Sequence, residues 1–140
     1  MIFDDAWENG DTAGWKYLVG SEVVLDKDPG NAFRGDYVFY ESRQVAVFKT
    51  VQLDADATYE LTVVAKSEHL DHPLQVSLMQ GDGPESSTLF NRSIVEGIEV
   101  ENGYRQLTGT FRQTASFKGK LLLQNHGAGW IGAVRLEKIE

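Results

Sequence analysis

Apolar and polar residues alternate over short stretches along most of the chain. In the clearest stretch, Tyr59–Lys66, Leu61, Val63 and Ala65 share one parity and mostly polar residues take the other. A period of two is the pattern of a β-strand with one face buried and one face solvated. The same alternation, or a β-rich apolar run, predicts further strands at 23–25, 36–53 with a break at 41–43, 74–79, 104–111, 121–124 and 134–136.

Turn-forming residues separate these stretches, and no segment has the periodicity of a long helix. Gly81-Asp82-Gly83-Pro84 is one such separator, and most of the 14 glycines lie between apolar runs, where a reversal or a positive φ is needed. Segment 85–103 fits either one bent strand or two short ones, with Gly97 suggesting a bulge. Short strands at regular spacing predict an all-β antiparallel sandwich with jelly-roll topology, and we expect residues 1–140 to form a single domain.

Charge and composition narrow the range of partners. The net charge of −8 disfavours nucleic acid and other polyanions, so a neutral ligand is the better expectation. No apolar run approaches the roughly 20 residues that span a bilayer, and we expect no membrane partner. No signal-peptide pattern follows Met1. The absence of cysteine excludes a disulfide, a thiolate metal site and a cysteine nucleophile.

Several short motifs follow one another in a particular order. They are Phe3-Asp4-Asp5 with Trp7-Glu8-Asn9-Gly10, Gly14-Trp15, Gly35-Asp36-Tyr37-Val38, Lys49–Leu53, Thr58–Thr62 with Ala65-Lys66, Tyr104, Thr110-Phe111, Leu121 and Val134-Arg135-Leu136. In this order the chain resembles the jelly-roll carbohydrate-binding modules of families 4, 9 and 22, a branch of the galactose-binding-like β-sandwiches. Each motif is short, and only their order over nearly the whole chain gives the resemblance weight.

The resemblance implies a non-catalytic module that binds a neutral polysaccharide or oligosaccharide in a groove on one sheet. Such modules usually accompany a glycoside hydrolase and keep it near its substrate, which raises the effective concentration without any chemistry. It also implies an extracellular location, as part of a secreted multidomain protein.

The resemblance also implies a structural calcium, with Glu8 among its ligands. The chain departs from the family pattern at Gly132, where an aspartate that commonly ligates calcium is usual, and at Lys49, where a glutamine is frequent. Calcium takes six to eight oxygen ligands, so the loss of a carboxylate weakens the expectation of a metal.

A sugar offers C–H groups on its face and hydroxyls around its edge, so its site needs flat rings together with amides or charged groups. Trp130 is the best ring candidate because it follows the small-residue loop His126-Gly127-Ala128-Gly129. For each ring the alternative is packing in the core, and for each polar residue it is a solvated sheet face. The candidate ligand-binding residues are Trp130, Trp15, Tyr40, Phe48, Gln75, Arg112, Gln124 and His126.

Catalytic patterns are missing from the sequence. There is no His-Glu-x-x-His, no Gly-x-Ser-x-Gly and no glycine-rich loop before a helix. We therefore expect no enzyme activity. Two other interpretations stay open: a structural or protein-interaction sandwich domain of a larger surface or virion assembly, and a jelly-roll lyase or hydrolase, which would need a basic cleft or a carboxylate pair.

Overall fold

The computed structural model describes residues 2–18, 21–42, 44–69, 71, 73–80, 87–113 and 117–139, without the side chains of 8, 80, 87–90, 113 and 117. In this part of the chain, nearly all of the regular secondary structure is β-strand, as the alternation of apolar and polar residues predicts. The strands are β1 Phe3–Asp5, β2 Lys16–Tyr17, β3 Asp26–Lys27, β4 Tyr37–Glu41, β5 Val45–Leu53, β6 Ala57–Ser67, β7 Gln75–Gln80, β8 Ser87–Ser93, β9 Ile98–Glu99, β10 Arg105–Gln113, β11 Phe117–Asn125 and β12 Gly129–Lys138.

The strands form two antiparallel sheets. One is seven-stranded, in the order β3-β4-β12-β6-β10-β9, with β1 also paired to β12. The other is five-stranded, in the order β2-β5-β11-β7-β8. The predicted all-β antiparallel sandwich is confirmed.

One apolar core lies between the sheets and is built from one parity of each long strand, which in β12 changes at a bulge between Ile131 and Ala133. Leu61, Val63 and Ala65 of β6 are at most 1% exposed, as their alternation predicted. The same cluster holds Leu74, Val76 and Leu78, the apolar parity at β7, and Leu121 and Leu123 of β11. Burying each such side chain adds about 1.5–3 kcal/mol to the free energy of unfolding. Because the core takes one parity, the other parity of each sheet is left facing outward.

The N-terminal segment is anchored in this core by hydrogen bonds from two indoles. The Trp7 indole N–H donates to the carbonyl of Ile131 at 2.7 Å, and the Trp15 indole N–H donates to the Asp5 carboxylate at 2.9 Å. Trp15 is fully buried, with its ring edge-to-face against that of Trp7 at 6.2 Å. The prediction of Trp15 as a ligand-binding residue was therefore wrong, because the ring fills the core and no ligand can reach it.

Two local predictions also need correction. Residues 23–25 do not form a strand: Glu22 makes an isolated bridge to Lys16, and the strand begins at Asp26. Gly97 does not mark a bulge in a strand, since it ends a short 3-10 helix, Ile94–Glu96. That helix begins with a capping box, in which Ser93 and Glu96 each bond the other's backbone.

A lysine lies on the inward parity of β5 and meets an acid of β1. The Lys49 ammonium is 2.5 Å from Asp5 Oδ2, and the two side chains are only 18% and 10% exposed. The ammonium also lies 4.1 Å from the ring centroid of Phe3. Asp5 thus receives a charged donor from Lys49 and a neutral one from Trp15, which satisfies a carboxylate that burial would otherwise penalise.

We expect Lys49→Met to lower the free energy of unfolding by about 3 kcal/mol, because it leaves the Asp5 carboxylate buried without a counter-ion. Urea denaturation would measure the loss. Lys138→Met is the matched control: its ion pair with Asp54 is largely exposed, with side chains 43% and 67% accessible, and it should cost less than about 1 kcal/mol. Equal losses in the two variants would contradict a special role for the Lys49–Asp5 pair.

Candidate functional site

The outer face of the five-stranded sheet gathers polar side chains around a small apolar centre. Strand register places Phe48, Leu122, Ser77 and Asn91 in one row across four strands. Every outward side chain described on this face is half-buried or exposed. These side chains are Lys16, Ala46, Phe48, Thr50, Gln52, Gln75, Ser77, Met79, Asn91, Lys118, Lys120, Leu122 and Gln124.

Amides and a hydroxyl form a connected polar patch on this face. Gln75 Nε2 donates to Asn91 Oδ1 at 2.6 Å, and the Ser77 hydroxyl donates to the same oxygen at 3.4 Å. Gln124 lies directly opposite Gln75 on the neighbouring strand. The Asn91 oxygen therefore accepts both bonds, which joins the three side chains into one network. Planar amides of this kind suit the paired hydroxyls of a sugar.

Phe48 is the aromatic ring of this face. It stands beside Leu122 across the sheet, and the Lys120 ammonium lies 4.7 Å from its ring centroid. This contact is a cation–π interaction that fixes the lysine stem along the ring. Phe48 therefore presents a half-buried apolar surface next to the amides.

A second set of aromatic rings crosses the outer face of the seven-stranded sheet. Tyr40 and Trp130 are cross-strand partners with ring centroids 4.9 Å apart. On the other side of Trp130, its partner Lys66 places its ammonium 4.9 Å from the indole centroid and 4.8 Å from that of Tyr104. Tyr40, Trp130, Lys66 and Tyr104 form a continuous row, here named the aromatic–lysine row.

The aromatic–lysine row ties a neighbouring loop to the sheet. Lys66 Nζ donates to Asn31 Oδ1 and to the carbonyl of Asn102, each at 3.1 Å, and the Tyr104 hydroxyl donates to the carbonyl of Asn31 at 2.5 Å. Burial lowers the pKa of Lys66, an effect that the Asp28 carboxylate opposes. Burial also raises the pKa of the Tyr104 phenol, and Asp28 adds to the rise. The polar groups of the aromatic–lysine row therefore make hydrogen bonds within the protein.

The residues predicted to bind a ligand are divided between the two sheets. Phe48, Gln75 and Gln124 lie together on the five-stranded face, whereas Trp130 and Tyr40 belong to the aromatic–lysine row of the opposite sheet.

The remaining candidates lie elsewhere. Arg112 is also on the seven-stranded sheet, where it donates to the Thr58 hydroxyl at 3.2 Å, and His126 is exposed in the bend after β11.

Sequence reasoning missed most members of the five-stranded face, among them Leu122 and Asn91, which adjoin the predicted Phe48 and Gln75. Leu122 could have been found from parity, because Leu121 and Leu123 are inward and Leu122 must then point outward. Asn91 lies in a stretch without clean alternation. Its place beside Ser77 depends on the β7–β8 register, which shifts between Leu78 and Met79.

The described residues do not fit the calcium site that the resemblance implies. A Cβ added at Gly132 would lie 2.5 Å from Phe33 Cβ and 2.9 Å from Tyr104 Cε1, so the space for the usual aspartate is filled. The nearby acid Asp5 is already bonded to the Lys49 ammonium. No group of three or more histidine, aspartate or glutamate side chains in the described residues could hold a metal, and the side chain of Glu8 lies outside that part of the structure.

No protein-family model matches the chain. Part of the pesticidal crystal protein Cry22Aa of Bacillus thuringiensis is 47% identical over 143 residues, a match that covers 99% of this chain and 20% of that protein. The chain therefore spans about one fifth of the curated relative it matches.

Solved structures resemble the chain over almost its whole length. A family 16 carbohydrate-binding module superposes with a TM-score of 0.68 at 17% identity, over 99% of both chains. The CBM22-1 xylan-binding domain of Paenibacillus barcinonensis Xyn10C gives 0.69 at 14% identity, over 99% of this chain and 94% of that one. The CBM22-1–GH10 modules of Clostridium thermocellum Xyn10B, complexed with xylohexaose, give 0.66 at 11% identity, over 99% and 28%.

The chain has the carbohydrate-binding-module fold. It is a β-sandwich of two antiparallel sheets, as the ordered motifs implied. Within the described residues, no helix combines the length and apolar character needed to cross a membrane.

Trp130→Ala should lower the free energy of unfolding by about 2–3 kcal/mol, because the half-buried indole links Tyr40 to Lys66 in the aromatic–lysine row. Chemical denaturation would measure the change. His126→Ala, a few residues away and exposed, should stay within about 0.5 kcal/mol of the parent. If Trp130→Ala were as stable as His126→Ala, the aromatic–lysine row would contribute little to the stability of the fold.

Gly132→Ala should lower the free energy of unfolding by about 1–3 kcal/mol, because the added methyl group overlaps Phe33. Gly30→Ala should leave it nearly unchanged, because the new Cβ would have only Asp28 Oδ1 nearby, at 3.5 Å. Thermal unfolding of both variants checks the difference. In Gly132→Asp, which restores the acid of the family pattern, calcium should not recover the lost stability. Stabilisation of that variant by calcium would contradict our assessment of the site.

Proposed function

We propose that this chain is a non-catalytic carbohydrate-binding module that binds a neutral polysaccharide across the outer face of the five-stranded sheet. The observation that carries the proposal is the patch of Gln75, Asn91 and Gln124 beside the ring of Phe48 on an accessible sheet face. The amides would bond sugar hydroxyls in pairs, and Phe48 and Leu122 would pack against sugar C–H groups.

The fold supports this proposal, because the similar solved structures include xylan-binding modules. The likeness to them is confined to the fold, and the amides and the Phe48 ring of this chain support the binding of a glycan. The lysines of the same face, Lys16, Lys118 and Lys120, can donate hydrogen bonds to neutral hydroxyls as well as to acids. The net charge of −8 nevertheless favours a ligand without repeated negative charge.

As a module, the chain would act by attaching a larger extracellular protein to a glycan surface. The resemblance implied a glycoside hydrolase as that partner, and one similar solved structure joins its module to a GH10 module. The sequence relative is instead a pesticidal crystal protein, of which this chain matches about one fifth. Either host would gain from a raised local concentration at the glycan.

Affinity electrophoresis tests the proposal with xylan, mixed-linkage β-glucan, galactomannan and hydroxyethylcellulose as neutral glycans and polygalacturonate as the charged one. We expect retardation on at least one neutral glycan, weakened about tenfold in Phe48→Ala and also weakened in Gln124→Ala. Tyr40→Ala is the matched control, since it removes a half-buried ring from the opposite sheet.

Two other outcomes would contradict the proposal. Loss of binding in Tyr40→Ala alone would move the site to the aromatic–lysine row. Binding to polygalacturonate alone would overturn the assignment of a neutral ligand. Folding of each variant would be checked by circular dichroism.

The second candidate function is a structural or protein-interaction domain of a larger assembly. The match to part of a crystal protein is the observation that favours it. A chain that is retarded by no glycan but forms a stable oligomer in size-exclusion chromatography would support this candidate over the first.

A further inference from the structure

A depression of about 320 Å³ opens on the outer face of the seven-stranded sheet. Its floor consists of two rows of cross-strand neighbours on β12, β6 and β10. One row is Ala133, Val64 and Gln106, and the next is Arg135, Thr62 and Thr108. Val64 and Ala133 are each only 3% exposed, so the accessible part of this floor is mainly the row of hydroxyls and the guanidinium.

Several polar groups in this depression have no partner within the described residues. Arg135 Nε is buried and makes no hydrogen bond there. The side chains of Glu60 and Gln106, which also line the depression, are likewise unbonded to any described side chain or backbone group. Arg135 Nε is covered by the protein itself and out of a ligand's reach, so the groups that a ligand would satisfy are the side chains of Glu60 and Gln106.

One wall of the depression is aromatic. Phe33 is held edge-to-face against Tyr104, with ring centroids 5.4 Å apart, and Arg34 follows it along the same wall. The wall is continuous with the cluster of Val64, Tyr104 and Ala133, so Phe33 is fixed by packing before any ligand arrives. An apolar ring near hydroxyls and a carboxylate is a combination that suits a sugar residue.

The charges of the depression favour a neutral occupant. Arg34 is paired with Asp4 at 3.3 Å, and Arg135 Nη2 is paired with Glu137 at 2.8 Å. The Glu60 carboxylate remains and would repel an acidic ligand. Neighbouring strands are about 4.8 Å apart, so the three strands of the floor span about 10 Å, which accommodates a single sugar residue better than a chain.

We propose that this depression is a second ligand site, which takes one neutral sugar residue with adjacent hydroxyl groups. The part-exposed Arg135 guanidinium and the Thr62 and Thr108 hydroxyls, which lie 3.4 Å apart and share a hydrogen bond, would bond the sugar on one side, and Glu60 would accept from it. The C–H face of the sugar would lie against the Phe33 ring. The site is independent of the five-stranded face, so either can exist without the other.

Two-dimensional NMR of the isotope-labelled chain tests the proposal with methyl glycosides of xylose, glucose, galactose and mannose, and with glucuronate as the charged probe. We expect at least one neutral glycoside to shift the amide signals of Thr62, Gln106 and Arg135 in a saturable manner. Thr62→Val and Arg135→Met should each weaken that binding about tenfold. Thr110→Val, an exposed change on the same sheet outside the depression, should not.

Shifts confined to Phe48, Gln75 and Gln124 would support the proposed function and overturn the second site. Absence of saturable shifts with every glycoside, or binding insensitive to both Thr62→Val and Arg135→Met, would also overturn it. Binding of glucuronate alone would overturn the neutral class of ligand. The wild-type titration does not depend on the folding of any variant.

Discussion

The apolar core between the two sheets is the constraint on which the rest of the molecule depends. It takes one side-chain parity from β5, β6, β7 and β11, and from β12 on each side of its bulge, and the backbone alternation then directs the other parity outward. The side chains on the outer face of each sheet can therefore change during evolution with little effect on the core. On the five-stranded face these positions carry amides around Phe48, and on the seven-stranded face they carry the aromatic–lysine row and a polar depression.

A buried ion pair and a close packing contact stand at the two positions where the chain departs from the family pattern. Lys49 points inward from β5 and neutralises Asp5 at the base of the N-terminal segment, while Phe33 fills the space over Gly132. The Trp7 and Trp15 indoles complete the arrangement by bonding Ile131 and Asp5. The two departures from the family pattern, at Lys49 and Gly132, are thus each accommodated by the packing around them.

Alternation predicted the long strands well, because Leu61, Val63 and Ala65 can be buried only if their neighbours are not. It could not place Trp15, which lies between strands and has no parity to assign it to the core or the surface. Nor could it assign strands to sheets: Tyr40 and Phe48 are close in sequence, yet the chain passes from one sheet to the other between them. For this reason the predicted ligand residues divided into two groups, a result that depends on topology rather than on residue type.

The pairing of β1 with β12 also determines how the chain would respond to force. Phe3 lies opposite Leu136, and the backbone N–H of Ile2 donates to the Leu136 carbonyl, so both ends of the described chain leave the sheet on the same side. A pull that separates these ends loads the three residue pairs of β1 and β12 one after another, as in a zipper, and not together in shear. A module tethered at both ends would therefore release its first strand under low tension, and that release would expose the buried Asp5–Lys49 pair to water.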